Sequence, residues 1–253
     1  MHDLAVLIWT VVILALAFDY INGFHDTANA IATSVSTRAI PPRLAILMAA
    51  CLNFLGAMYS TGVAKTIGGD IVMSPSHIDE RIIIAALIGA IFWNLLTWWY
   101  GIPSSSSHAL VGGIIGAMLV STGHEGLNFY GISKIVLSLI VSPLLAIGTG
   151  CVIMSILFMI FGRYSPINVN SKFKRLQILS AAMMSFSHGS NDAQKAMGII
   201  TLALLSGGYL ETLEVPLWVK LAAATSMGLG TAAGGWKIIK TMGGRIFKLE
   251  RCV

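Results

Sequence analysis

The chain has 253 residues, of which 56% are hydrophobic and only 11% charged, with a formal net charge of +5. Soluble domains carry about 25% charged residues, and a chain this apolar cannot cover a water-facing surface; its mean hydropathy of +0.81 points to the bilayer instead. The positive balance reads as membrane topology rather than nucleic-acid binding, because the basic residues gather in short loops between apolar runs.

The start, Met1-His2-Asp3, has no basic n-region, so no cleaved leader is expected. Apolar runs long enough for a bilayer, about 20 residues, extend from Leu4 to Thr37, Arg43 to Ala64, Ile82 to Tyr100, Ile135 to Phe161, Leu176 to Ser206 and Pro216 to Ile239. A run of 12 residues, Ala109 to Val120, is shorter. It follows Gly101-Ile102-Pro103-Ser104-Ser105-Ser106-Ser107-His108, where Gly and Pro stop one helix and a serine caps the next. Residues 82–120 are therefore expected to form a re-entrant helical hairpin with its tip inside the membrane. The cysteines, Cys51, Cys151 and Cys252, are too scattered for a disulfide or zinc framework.

Two polar motifs lie within apolar runs. Asn22-Gly23-Phe24-His25-Asp26-Thr27-Ala28-Asn29-Ala30 aligns with His188-Gly189-Ser190-Asn191-Asp192-Ala193-Gln194-Lys195-Ala196, placing Gly23 on Gly189 and Asp26 on Asp192. An ionisable residue at membrane depth costs about 2.5–3.5 kcal/mol on insertion scales, so it marks function by default. Duplicated polar interruptions point to a secondary transporter built from repeats. A second match, Lys65-Thr66-Ile67-Gly68-Gly69-Asp70-Ile71 with Lys240-Thr241-Met242-Gly243-Gly244-Arg245-Ile246, extends the repeat.

Loop charge sets the expected orientation. Arg38 and Arg43, then Arg163, Lys172, Lys174 and Arg175, then Lys237, Lys240, Arg245, Lys248 and Arg251 mark three basic regions; the remaining loops are mixed or acidic. Positive-inside puts the basic regions in the cytoplasm and the N-terminus outside. Alternation requires residues 82–120 to make no crossing or two, and the short second arm favours the hairpin. The two units are then inverted. The expected organisation is a first repeat over 1–161, a basic cytoplasmic loop over 162–175 and an inverted second repeat over 176–253. Carried over to the second unit, the serine tip would fall at about position 280, so that repeat is expected to be incomplete.

Asp26 and Asn29 share a helical face, as do Asp192 and Lys195. Carboxylates hold a cation or a proton; amides, hydroxyls and an ammonium donate to an anion. Ser104, Ser105, Ser106 and Ser107 add hydroxyls and the free N–H groups of a helix N-terminus. An oxyanion will not sit near two bare carboxylates unless they are protonated or metal-bound, which is a physical reason to expect coupling. Plainer readings stand beside these. Asp26 and Asp192 can hold broken helices together, Lys195 can snorkel or neutralise Asp192, and the serines can be a polar turn. His25 is either a proton-relay member or a structural hydrogen bond, and His108 and His188 are weaker candidates. Gly112/Gly116 and Gly230/Gly234 have GxxxG spacing, which allows close packing and is weak support for a homodimer.

Through Gly23–Ala30, Gly101–His108, Ser187–Lys195 and Gly234–Gly243 the chain resembles the inorganic phosphate transporter (PiT) family, particularly its bacterial low-affinity branch. The resemblance implies an all-α inverted-repeat membrane protein of the plasma or inner membrane that takes up inorganic phosphate by symport. It implies phosphate and coupling-ion contacts at Asp26, Asn29, Ser104–Ser107, Asn191 and Asp192; taken with the residue chemistry, Asn29, Ser104–Ser107, Asn191 and Lys195 are the expected substrate contacts, and Asp26, Asp192 and His25 the expected coupling-ion contacts. It implies no resident cofactor or metal; the coupling ion is H+ or Na+, and divalent metal travels with phosphate in the bacterial branch. It also implies a second hairpin that this sequence does not carry. The alternatives are an inactive truncated fragment, a sulfate permease of the same family, and an intramembrane serine hydrolase, which lacks a Gly-x-Ser-x-Gly turn or His-Glu-x-x-His pair here.

Overall fold

The computed structural model describes residues 2–59, 79–233 and 235–242. Both Lys-Thr-x-Gly-Gly segments lie wholly or largely outside them. The described residues form helices α1 (His2–Ser36), α2 (Pro42–Tyr59), α3 (Glu80–Tyr100), α4 (Ser106–Thr122), α5 (Phe129–Phe161), α6 (Pro166–Ser206), α7 (Leu217–Ala233) and α8 (Trp236–Lys240), with a 3-10 turn at Gly123–Gly126. Five segments are long and apolar enough to cross a membrane: Asp3–Ser36, Pro42–Tyr59, Glu80–Tyr100, Ser106–Gly126 and Phe129–Phe161. α6 is longer still, at 41 residues, and carries the second motif in its interior.

Two expectations are corrected. Residues 166–175 belong to α6, so only the first few residues of the expected 162–175 loop are a loop. Pro166 occupies the first helical turn, where its missing N–H costs nothing, and the basic residues after it are good helix formers. The second hairpin arm is 17 residues long, because Ser106, Ser107 and His108 at one end and Ser121 and Thr122 at the other join the helix. The length argument for a re-entrant hairpin therefore fails.

Contacts supply a better one. Gly101 closes α3 in the left-handed conformation (φ 68°), where a Cβ is penalised, and Ser105 caps α4 by accepting from the His108 N–H. At the base, Ser206 donates to Glu80 Oε1 at 2.6 Å, tying the start of α3 to the end of α6. At the tip, the Lys195 ammonium donates to Ser107 Oγ. Base and tip therefore meet α6 at points eleven residues apart, about 16 Å along its axis. α6 continues beyond the tip for 29 residues, back to Pro166, so the hairpin ends inside the bundle.

α1 and α6 run antiparallel. Asn22 meets Asp192, and Thr37 donates to Gln177 Oε1 at 2.8 Å. The repeat is visible in how these two helices cross α7 and α2. A Cβ on Gly23 would collide with the Met227 carbonyl, and one on Gly189 with the Asn53 carbonyl. A Cβ on Gly230 would strike the Tyr20 carbonyl, and one on Gly56 the Phe186 carbonyl. The motif alignment that carries Gly23 onto Gly189 also carries Tyr20 onto Phe186. The two crossings are thus copies of one another, α1 on α7 and α6 on α2.

Gly230→Leu is expected to prevent stable assembly and Gly56→Leu to do so equally, since backbone cannot yield as a flexible side chain does. Gly116→Leu, where a Cβ meets nothing within 4 Å, should leave protein levels unchanged. Membrane-fraction yield and thermal stability in detergent check this. One glycine of the GxxxG pairs, Gly230, is thus used within the chain, whereas Gly112 and Gly116 face open space. α5 carries exposed apolar side chains along its length, Leu137, Ile140, Leu144, Ile147 and Ile153 among them, a surface suited to hydrocarbon.

Candidate functional site

The antiparallel pairing of α1 and α6 brings the two motifs together, and the hairpin tip closes on them. Ligand atoms of Asp26, His188 and Asp192 all lie within 4.8 Å of one another. Asp192 Oδ2 is the centre of the polar contacts. It accepts from Asn22 Nδ2 at 3.3 Å, pairs with the Lys195 ammonium at 2.9 Å and faces His188 Nε2 at 3.6 Å. Asp192 and Lys195 are both only slightly exposed, at 18% and 16% of their side chains.

A buried amide orients His188. Asn53 is wholly buried and donates to Thr231 Oγ1 at 2.8 Å and Thr27 Oγ1 at 3.2 Å. That spends its N–H groups, so its Oδ1, 3.1 Å from His188 Nδ1, accepts there. His188 therefore carries its proton on Nδ1 and presents the Nε2 lone pair to the two carboxylates, the arrangement used by a metal-ligating histidine. Thr27 donates to the Gly23 carbonyl, and Thr27 and Thr231 lie 2.9 Å apart.

On the other side, His25 Nδ1 lies 3.1 Å from Asp26 Oδ1 and its Nε2 lies 3.1 Å from Thr97 Oγ1. Thr97 in turn meets Ser104 Oγ at 3.1 Å. The Phe24 and Trp98 rings pack edge to face beside this chain, centroids 5.4 Å apart. The tip is thus held at two points, Ser104 through Thr97 to His25, and Ser107 to Lys195.

The predicted residues divide accordingly. His25, Asp26, Asp192, Lys195, Ser104 and Ser107 come together. Ser105 acts as the α4 cap, and Ser106 is buried with its hydroxyl unpartnered among the described residues. Asn29 and Asn191 are exposed, and among the described residues Asn191 donates to Ser187 Oγ, at 3.4 Å. The repeat explains the contrast. Asn29 aligns with Lys195 and Asn191 with His25, and the hairpin covers Lys195 and His25 but not their counterparts. Sequence reasoning missed Asn53, Thr97 and Thr231, and it left out Asn22, which stood inside the quoted motif. Asn53 and Thr97 were each a polar residue in an apolar run, a signal available without the structure.

A serine hydrolase finds no support in this geometry. His25 contacts Thr97 rather than a serine, and the nearest basic group to Ser107 is an ammonium already paired to Asp192.

Paired inverted helices, a buried hairpin tip and facing carboxylates beside an ammonium define a membrane transporter rather than an enzyme. The chain belongs to the phosphate transporter family, whose profile matches residues 22–168 and 162–252. It is 54% identical over 253 residues to a probable low-affinity inorganic phosphate transporter of Bacillus subtilis, covering 99% of this chain and 76% of that protein. A Mycobacterium leprae protein of the same description is 46% identical, with 92% of this chain and 57% of that protein covered. The low-affinity inorganic phosphate transporter PitB of Escherichia coli is 37% identical, with 76% and 45% covered. Among solved structures, a sodium-dependent phosphate transporter superposes with a TM-score of 0.84 at 27% identity, covering 96% of this chain and 79% of that one.

Proposed function

We propose that this chain takes up inorganic phosphate by secondary symport, coupled to protons, with the phosphate accompanied by a divalent cation. The observation that carries this reading is the adjacency of two opposite half-sites. Asp26, His188 and Asp192 supply two carboxylate oxygens and an imidazole lone pair, a donor set for a divalent cation. Lys195 and Ser107, with the free N–H groups at the start of α4, supply donors for an oxyanion one side chain away. A phosphate beside two bare carboxylates is repelled; a phosphate bridged to them by a cation is not. Positive-inside places the N-terminus outside and the start of α6 in the cytoplasm, in the plasma or inner membrane. The open stripe at Gly112 and Gly116 suits a homodimer contact.

The test is radiolabelled phosphate uptake in cells stripped of their own transporters. They express either this chain or a chimera continued with the remaining residues of the Bacillus subtilis relative. Uptake raised by an inward proton gradient, lowered by a divalent-cation chelator and resistant to excess sulfate is expected. Uptake driven by sodium and indifferent to pH would overturn the proton assignment, and competition by sulfate would shift the substrate. Uptake by the chimera alone would place the other half of the phosphate site in the added residues.

A further inference from the structure

Asp19 lies on α1 nearly two turns before Asp26, in none of the contacts described so far. It is 0% exposed, and neither carboxyl oxygen has a hydrogen-bond partner among the described residues. Asn22 stands three residues on, on the same helical face. Its amide N–H reaches Asp192, while its own Oδ1 is buried and likewise unpartnered. The charged groups that act on Asp19 are Asp192 and Lys195 of α6. α3 has its charges, Glu80 and Arg81, at its base, α7 has Lys220 near its start, and α4 offers only the exposed His108. The aligned position in the second repeat is Ser185, whose hydroxyl donates to the Ala181 carbonyl at 2.8 Å. The acid is therefore unduplicated, unlike the Asp26/Asp192 pair.

A carboxylate with both oxygens buried and no donor is costly by several kcal/mol. A carboxylic acid needs one acceptor for its O–H, and Asn22 Oδ1 is a free acceptor on the same face. A metal ion would want several oxygens, but Ala15 and Phe18 beside Asp19 on α1 belong to the apolar core.

We propose that Asp19 is the binding site of the coupling proton, an inference that rests on the proton-coupled reading above. The link to substrate runs through named contacts: Asn22 to Asp192, Asp192 to Lys195, Lys195 to Ser107 at the hairpin tip. With Asp19 ionised, two carboxylates compete for one ammonium and repel an incoming anion. With the proton on Asp19, that negative charge is gone and Lys195 is freer to meet phosphate. Proton loading and phosphate binding then favour one another, as linkage requires.

Purified protein in liposomes tests this with Asp19→Asn and Asp19→Glu. Asp19→Asn should still exchange phosphate at equal pH on both sides, yet lose at least about tenfold of gradient-driven accumulation. Phosphate-dependent proton influx should disappear with it. Asp19→Glu should keep coupling with a displaced pH profile. The infrared carbonyl band of a protonated carboxyl should be present in the parent and missing in Asp19→Asn, a readout independent of transport. Accumulation by Asp19→Asn at the parent level, equal loss of exchange and accumulation, or an unchanged infrared band would each overturn the assignment. If neither this chain nor the chimera moves phosphate, the transport reading fails instead, and the infrared comparison still decides whether Asp19 holds a proton.

Discussion

Asp192→Asn is expected to abolish coupled phosphate uptake, by at least about a hundredfold, or roughly 2.7 kcal/mol, while the protein still reaches the membrane. The carboxylate has three tasks that an amide cannot combine. It neutralises Lys195 at 2.9 Å, accepts from Asn22 at 3.3 Å and completes the cluster with Asp26 and His188. An amide leaves a partly buried ammonium without its counter-charge and takes an anionic ligand from the cation site. Insertion should survive, because the α1–α7 and α2–α6 crossings depend on glycine and backbone and involve no contact of Asp192. Asp26→Asn should have a similar effect, as the partner carboxylate from the other repeat. The measurement is uptake normalised to membrane-fraction protein in the uptake-competent form. A variant that inserts normally and transports near the parent rate would remove the carboxylates from the mechanism.

How far the sequence carried this reading differs by element. The long helices were legible because apolar runs bounded by charge have few other uses, and the repeat was legible because its polar motif is costly enough to stand out. The helical pair was legible in the sequence, but the length argument for its re-entry fails: the second arm is 17 residues, not 12, and the support for re-entry is the Lys195–Ser107 contact deep in α6. Charge marked the 162–175 segment as a membrane flank but could not say whether it was helical. Within the site, spacing placed Asp26 and Asp192 on known helix faces. It could not show that Asn29 and Asn191 face away from the hairpin, because that depends on which copy of the repeat the tip covers. Asn53 and Asp19 lie outside the duplicated motif that singles out the other site residues. Yet one orients His188 and the other is a buried acid without a partner.

Lys195→Gln should weaken phosphate recognition more than turnover, raising the apparent KM by roughly tenfold to a hundredfold, the loss of one charge-assisted contact. Lys195→Arg should recover part of it, because the guanidinium keeps the charge but not the compact reach to Ser107. The competing reading makes Lys195 only a counter-ion for Asp192, and the two differ in what the double variant does. If the ammonium merely balances the carboxylate, Lys195→Gln with Asp192→Asn removes both charges together and should restore uptake toward the parent. If the ammonium meets phosphate and the carboxylate meets the cation, the double variant lacks a contact in each half-site and stays as inactive as Asp192→Asn alone. The geometry favours the second outcome. Lys195 spans from Asp192 to Ser107 and so touches both the cation cluster and the hairpin tip, a position that charge balance alone does not require.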